Sequence, residues 1–479
     1  MSNLLAMYST ASNSLDAFQS ALSVVQNNVG NASTPGFAKQ SLNLEAQPFD
    51  VASGLAGGVA ARGLKDSRDV YAEDAVQTQV QSLGYYSAQA QGAGTIQSFF
   101  DVTGTSGVPA ALNQLFQSFS AWSVSPSDGG ARQNVLASAS GVAAAVNGLA
   151  SNLSQASQQI DTQIGSAVDQ INGIAAQIQQ YNTQKMQQAG SASDPGADAQ
   201  LYSSLQNLAQ LTNFSTVTES DGTVTVMLAG GSPLVVGQNV YNLSSSTSVN
   251  TQPPPVNPQS PPTAHILDAQ GNDVTSQVTS GELGGLLDTR NRLLPSILGD
   301  AQQQGSLNQL AQGLADTVNQ MLQSGTVSAA PGAAKGTALF TYSSADATDI
   351  AGTLAVNAQI TPGQLAPVDA AGNANGNANA LAALADPGSS TLQGTSLPQF
   401  FAQIAAAAGQ ESQTATANQQ TQQQVAAQAE SLRDQVSGVS LDAQAVSILQ
   451  FQRAYQAAAQ VLTVLDSIAQ TTLNLIQPA

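Results

Sequence analysis

The two ends of this chain carry the same pattern, although more than four hundred residues separate them. Apolar or small residues recur at Leu4, Tyr8, Ala11, Leu15, Phe18, Leu22, Val25 and Val29. They recur again at Ile448, Phe451, Tyr455, Ala458, Leu462, Leu465, Ala469, Thr472 and Ile476. Steps of four and three alternate in both, the spacing of a helix that packs on other helices. A single helix cannot cover its own stripe, so the simplest solution pairs the two ends and makes the molecule begin and finish in one place.

Between them the helical period returns at Val135, Ala139, Val142, Val146, Leu149, Leu153, Ala156 and Ile160, then shifts phase and runs on to Tyr181. The shift is a stutter, which locally unwinds a coiled coil. Residues 69–100, 109–123 and 399–435 also read as helix. Residues 214–243 change to period two, with Asp221-Gly222 as a hairpin turn. The stretch 252–262 is a proline-rich loop. Helix resumes from Gly281, where Pro295 should kink or divide it, and 343–397 reads as loop with short elements. The expected fold is mainly α, elongated and multi-domain, with terminal coiled-coil helices, a helical-bundle middle and a small β-rich outer domain. Its units are 1–60 with 436–479, 61–184 with 281–435, and 185–280.

Composition narrows the function. Charged residues make up 9% of the chain and the net charge is −19. Gln, Ser, Asn and Thr supply polarity instead, which suits long helices in a repeating assembly. No basic patch is available to neutralise phosphates, so nucleic acid is not an expected partner. Cysteine is absent, which removes disulfides and thiolate metal sites. No run of about eighteen apolar residues occurs, and the first residues lack a basic segment followed by an apolar core. Neither membrane insertion nor a cleaved secretion signal is expected. The single histidine, His265, sits beside the proline-rich loop and reads as incidental. No phosphate-binding loop, nucleophile elbow or ligand cluster is visible, so no catalytic, cofactor or metal residue is assigned.

The stretch NNVGNASTPGFAKQ, residues 27–40, breaks the first helix abruptly. Asn and Gly accept left-handed backbone, Pro35 forbids helix behind it, Gly36 permits a turn and Phe37 offers an anchor. SGVSL, ending at Leu441, is the matching breaker before the last helix. Together with the last forty residues, these stretches resemble the two terminal signatures of bacterial flagellar axial proteins. Within that family SGELGGLLDTRNRLL (280–294), LNQLAQGLADTVNQML (307–322) and LAVNAQITPGQLAPV (354–368) are similar to the hook-associated subunits that join hook to filament. Ala443-Gln444 stand where the family commonly has a pair of glutamates.

The resemblance implies a non-catalytic structural subunit. It would be exported without a cleaved signal by the flagellar type III apparatus and placed extracellularly at the distal end of the hook. Its partners would be other copies of itself in a ring of about eleven, the hook protein, the next junction protein and a cytoplasmic export chaperone. The expected contact residues are Leu4, Tyr8, Leu15, Phe18, Leu22, Val25, Pro35, Gly36, Phe37, Leu441, Ile448, Phe451, Tyr455, Leu462, Leu465 and Ile476. A hook or distal rod subunit, or a secreted scaffold displaying a hydrolase or adhesin domain, are the alternatives.

Overall fold

The computed structural model describes residues 2–50, 55–100, 104–187, 194–248, 262–343, 349–389 and 392–476. Helix α1 (Ser2–Gly30) leads into a hairpin of β1 (Gln40–Asp50) and β2 (Leu55–Asp66). The elongated body holds α2 (Val70–Ser98), α3 (Gly107–Val124), the 59-residue α4 (Gly129–Gln187) and α5 (Pro195–Leu211). Outer strands follow: β3 (Phe214–Thr218), β4 (Val224–Leu228), β5 (Pro233–Val236) and β6 (Asn239–Val240) form one antiparallel sheet. A second pairs β7 (Ser244–Ser248) with β8 (Thr263–Leu267). The chain returns through α6 (Gly281–Asp288), a π-helical turn at Thr289–Leu293, α7 (Leu294–Leu298) and α8 (Ser306–Ser324). Short elements follow: β9 (Phe340–Thr341), α9 (Ile350–Thr353), β10 (Ala355–Val356) and α10 (Gly376–Ala382). The long helices α11 (Leu397–Ser437) and α12 (Leu441–Ile476) close the chain.

The fold is mainly α, as the periodicities require. Helices α2 and α11 pack along their lengths, α3 packs on α4, and one continuous core runs through the body from Ile96 and Trp122 to Ile178 and Leu314. The stutter costs α4 nothing visible, because Ile160 and Ile164 are both buried across it. Asp221-Gly222 turns between β3 and β4, with Gly222 at φ +84°. Pro295 does not end the helix, which runs without a break from Gly281 to Leu298; the π-helical turn at Thr289–Leu293 lies just before the proline. Most of the proline-rich loop lies outside the described residues. The unit boundary expected at residue 60 falls inside β2, whose pairing with β1 continues to Asp66.

With few charges available, neutral amides hold strands and loops to helices. The fully buried Asn182 on α4 accepts from the Val224 N–H and donates to the carbonyls of Val224 and Gly237. Asn172 brackets the N–H and C=O of Leu243 in the same way, and Asn291 those of Ala264. Each such bracket satisfies backbone groups that burial would otherwise leave costly.

Two turns share the sequence Asp-Ala-x-Gly-Asn, at 268–272 and 369–373. The Asn272 amide and then backbone N–H groups hold the Asp268 carboxyl below its ordinary range, and Asn373 does the same for Asp369. A depressed carboxyl stabilises the fold above its unfolded pKa, and that contribution is lost as pH falls through the folded value. The double variant Asp268→Asn, Asp369→Asn is therefore expected to lose less stability than the parent between about pH 4 and pH 2. Melting temperatures measured across that interval check it; parallel curves would refute it.

Candidate self-assembly site

Near the end of α1 the Asn28 side chain, 1% exposed, donates to Gln444 Oε1 (3.1 Å) close to the start of α12. From that point the two helices can meet along their lengths only by running antiparallel, and they do pack together. The same Asn28 brackets Gln40, donating to its carbonyl (2.8 Å) and accepting from its N–H (2.9 Å). Gln444 thus joins a neutral amide network.

The seam differs from a simple heptad pair. Ala11, Ala17, Ala21 and Val25 are buried on α1, while Leu4, Leu15, Phe18 and Leu22 are half-buried and Tyr8 is exposed. The reason is the hairpin, which covers a second side of α1. Gly58 on β2 lies so close to Thr10 that a Cβ there would stand 2.4 Å from its methyl group, and the Val59 N–H reaches Ser14 Oγ. On α12, Leu465 is buried and Ile448, Phe451, Tyr455 and Leu462 are half-buried. Leu441 is exposed, and Ile476 ends the helix with its side chain outside the described residues.

A second stripe, which the heptad reading passes over, remains uncovered. Val446, Leu449 (58% exposed), Val461, Val464 (56%) and Ile468 share the other face of α12. Twenty-one large apolar side chains are exposed among the described residues, and twelve lie within 1–66 and 438–479, less than a quarter of the chain. Apolar exposure is therefore concentrated at the end of the molecule where the termini meet. Charge is distributed the opposite way. Residues 1–66 with 438–479 hold four Lys and Arg against six Asp and Glu, whereas 67–437 hold seven against twenty-four. An apolar, nearly neutral end beside a strongly acidic body is suited to packing with copies of itself.

The breaker forms the crossing into the body. Pro35 is exposed and Phe37 half-buried, while Gly36 sits at φ +72° against α5. A Cβ on Gly36 would lie 2.2 Å from the Ala199 carbonyl oxygen, so no other residue fits there without displacement. The matching breaker meets it: Lys39 N–H donates to the Ser437 carbonyl (2.8 Å), and Ser437 Oγ accepts from the Asp69 N–H. A cleft of about 750 Å³ opens beside this junction, lined by Val25, Phe37, Gln40, Gln444 and Phe451 among others. On the body side, burial and then Asp198, which accepts from the phenol at 2.8 Å, push the Tyr181 hydroxyl well above its usual range.

His265 is a structural clamp and not an incidental loop residue. It lies on β8, with Nδ1 2.8 Å from Asp273 Oδ2 and Nε2 2.9 Å from Thr263 Oγ1. Thr263 Oγ1 also lies 3.2 Å from the Ser248 carbonyl, so these contacts tie β8 to β7 and to the turn that follows. Among the described residues no group of His, Asp or Glu could hold a metal ion, and no helix is long and apolar enough to cross a membrane.

A family model described as the helical domain of flagellar hook-associated protein FlgK matches residues 93–340, more than half of the chain. The chain belongs to the FlgK family. It is a structural flagellar protein and not an enzyme, which removes the hydrolase alternative. A second model, the C-terminal region of flagellar basal-body rod FlgEFG proteins, matches residues 433–475. Flagellar hook-associated protein 1 of Bacillus subtilis (strain 168) is 24% identical over an alignment covering 97% of each chain. That of Salmonella typhimurium is also 24% identical, over 64% of this chain and 55% of its own length. The flagellar hook junction protein FlgK from Burkholderia pseudomallei matches structurally with a TM-score of 0.46 and 28% identity, covering 57% of this chain and 46% of that one.

Proposed function

We propose that this chain joins hook to filament, assembling at the distal end of the hook as a ring of about eleven copies with its terminal end inward and its acidic body outward. The observation that carries this is the segregation just described: exposed apolar side chains gather where the termini meet, and charge gathers elsewhere. The Val446–Ile468 stripe of one copy packs on the terminal helices of its neighbour, while the Leu15–Leu22 and Ile448–Leu465 faces stay within the subunit. The hook protein lies below the ring and the next junction protein above it. The chain reaches this place by flagellar type III export without a cleaved signal. A cytoplasmic chaperone holds α12 beforehand, taking the Phe451 and Tyr455 strip that later packs on α1.

Purified chain added to cells that make hooks but lack this subunit should restore filaments, as seen by electron microscopy. Filament growth without the chain, or none after its addition, would remove the junction role.

A further inference from the structure

Three stretches cross between the terminal end and the body: 31–39, 66–69 and 437–440. One side chain gathers their surroundings. The Arg68 side chain is only 7% exposed, and its Nη1 lies 2.6 Å from Glu73 Oε1 at the start of α2. Its Nη2 donates to the Gly36 carbonyl at 2.7 Å, in the first crossing. Its guanidinium carbon stands 3.7 Å from the ring centroid of Tyr202 on α5. The other oxygen of Glu73 faces Arg433 of α11 at 3.8 Å, and Arg433 donates to Gln206 of α5. Arg68 Nε is buried without a hydrogen bond, since Asp66 Oδ2 is 3.6 Å away.

We infer that Arg68 is a positioning residue that pins the terminal end at one angle to the elongated body. A planar fork can serve a carboxylate, a carbonyl and an aromatic face together, which an ammonium cannot. Burying it with one donor unsatisfied is poor design for stability alone, because a well-packed apolar side chain commonly does as well. Its use is geometric: Gly36 belongs to the terminal segment, whereas Glu73 and Tyr202 belong to the body. Without the pin the Lys39–Ser437 and Asp69–Ser437 hydrogen bonds still join the crossings, but no side chain ties the first crossing to α2 and α5 at once. Every copy in an assembly needs the same angle if the outer domains are to form a regular layer.

The absence of cysteine makes the test clean. Ser23→Cys on α1 and Ser166→Cys on α4 place two spin labels on exposed positions, one on each part. Pulsed electron–electron resonance on the full chain should give one narrow distance. Arg68→Met should broaden it at least about twofold in a chain that keeps its helix content, although the body melts lower because Glu73 is left buried with only Arg433 near it. An unchanged narrow distance in Arg68→Met, or a broad one in the parent, would overturn the proposal. Where Arg68→Met loses helix content, Arg68→Lys decides, since it keeps stem and charge but not the fork. Broadening in folded Arg68→Lys supports the pin, and an unchanged width refutes it.

Discussion

Leu449→Asp and Val464→Asp chains are expected to be exported and folded, yet unable to assemble. Both side chains are more than half exposed in the single subunit, so a carboxylate there meets water and costs the monomer little. In the ring the same carboxylate would be buried between apolar faces, and an unpaired charge in such a place costs several kcal/mol, about 3–5 by comparison with broken buried pairs. Repetition around the ring multiplies the effect, because every copy carries the defect at the same contact. The expected phenotype is a non-motile strain that releases filament subunit and this chain into the medium. Circular dichroism and melting of the purified variants should match the parent. Phe18→Asp and Leu462→Asp make the contrast, since these half-buried residues face the intramolecular pair and should disturb the terminal helices of the monomer as well. Motile cells carrying either exposed-face variant would show that this stripe is not an assembly contact.

The two ends were legible in sequence because helical periodicity is a local signal, and α1 and α12 appear where the stripes lie. The β3–β4 hairpin was legible for a similar reason, through period two and a turn pair. What escaped was whatever depends on a partner far along the chain. The run after Phe37 reads as extended, but its pairing partner LAGGVAARGLKD, at 55–66, shows no clean alternation and holds three glycines. It becomes a strand because β1 and α1 lie against it. The hairpin in turn buries Ala17 and Ala21 more fully than the large apolar residues of the α1 stripe, which no single-helix pattern can foretell. His265 was misread because Asp273 meets it only once β8 and the following turn are folded. Arg68 carried no motif at all; it is one of seven charged residues from 62 to 74, and its burial follows from the crossing of three segments.

The stretch SGELGGLLDTRNRLL was legible only as a resemblance, and the structure supplies its physical content. Arg290 pairs with Asp161 of α4 at 2.8 Å and donates to the Pro262 carbonyl, and Asn291 brackets Ala264, so the π-helical turn ties the outer strands to the body. The glycines before it set how near α6 comes to α2. A Cβ on Gly285 would lie 2.3 Å from the Tyr85 carbonyl oxygen and 2.9 Å from Ala88 Cβ. On the facing helix a Cβ on Gly84 would lie 2.2 Å from the Gln210 carbonyl oxygen of α5. Both obstacles include backbone, which cannot rotate aside as a flexible side chain can. Gly285→Val should therefore push α6 off α2, open the core around Leu283, Leu286 and Leu287, and destabilise the body by about 3–4 kcal/mol. At the scaling of large domains this lowers the melting temperature by roughly 4–5 °C. Gly148→Ala provides a test of opposite sign. That glycine lies on the exposed face of α4 with nothing near its missing Cβ, so alanine should stabilise by about 0.5–1 kcal/mol through helix propensity alone. Calorimetry of the two variants separates close approach from propensity. A Gly285→Val chain that melts with the parent would mean that α2 and α6 need not touch backbone to backbone, and that this family stretch is kept for Arg290 and Asn291 alone.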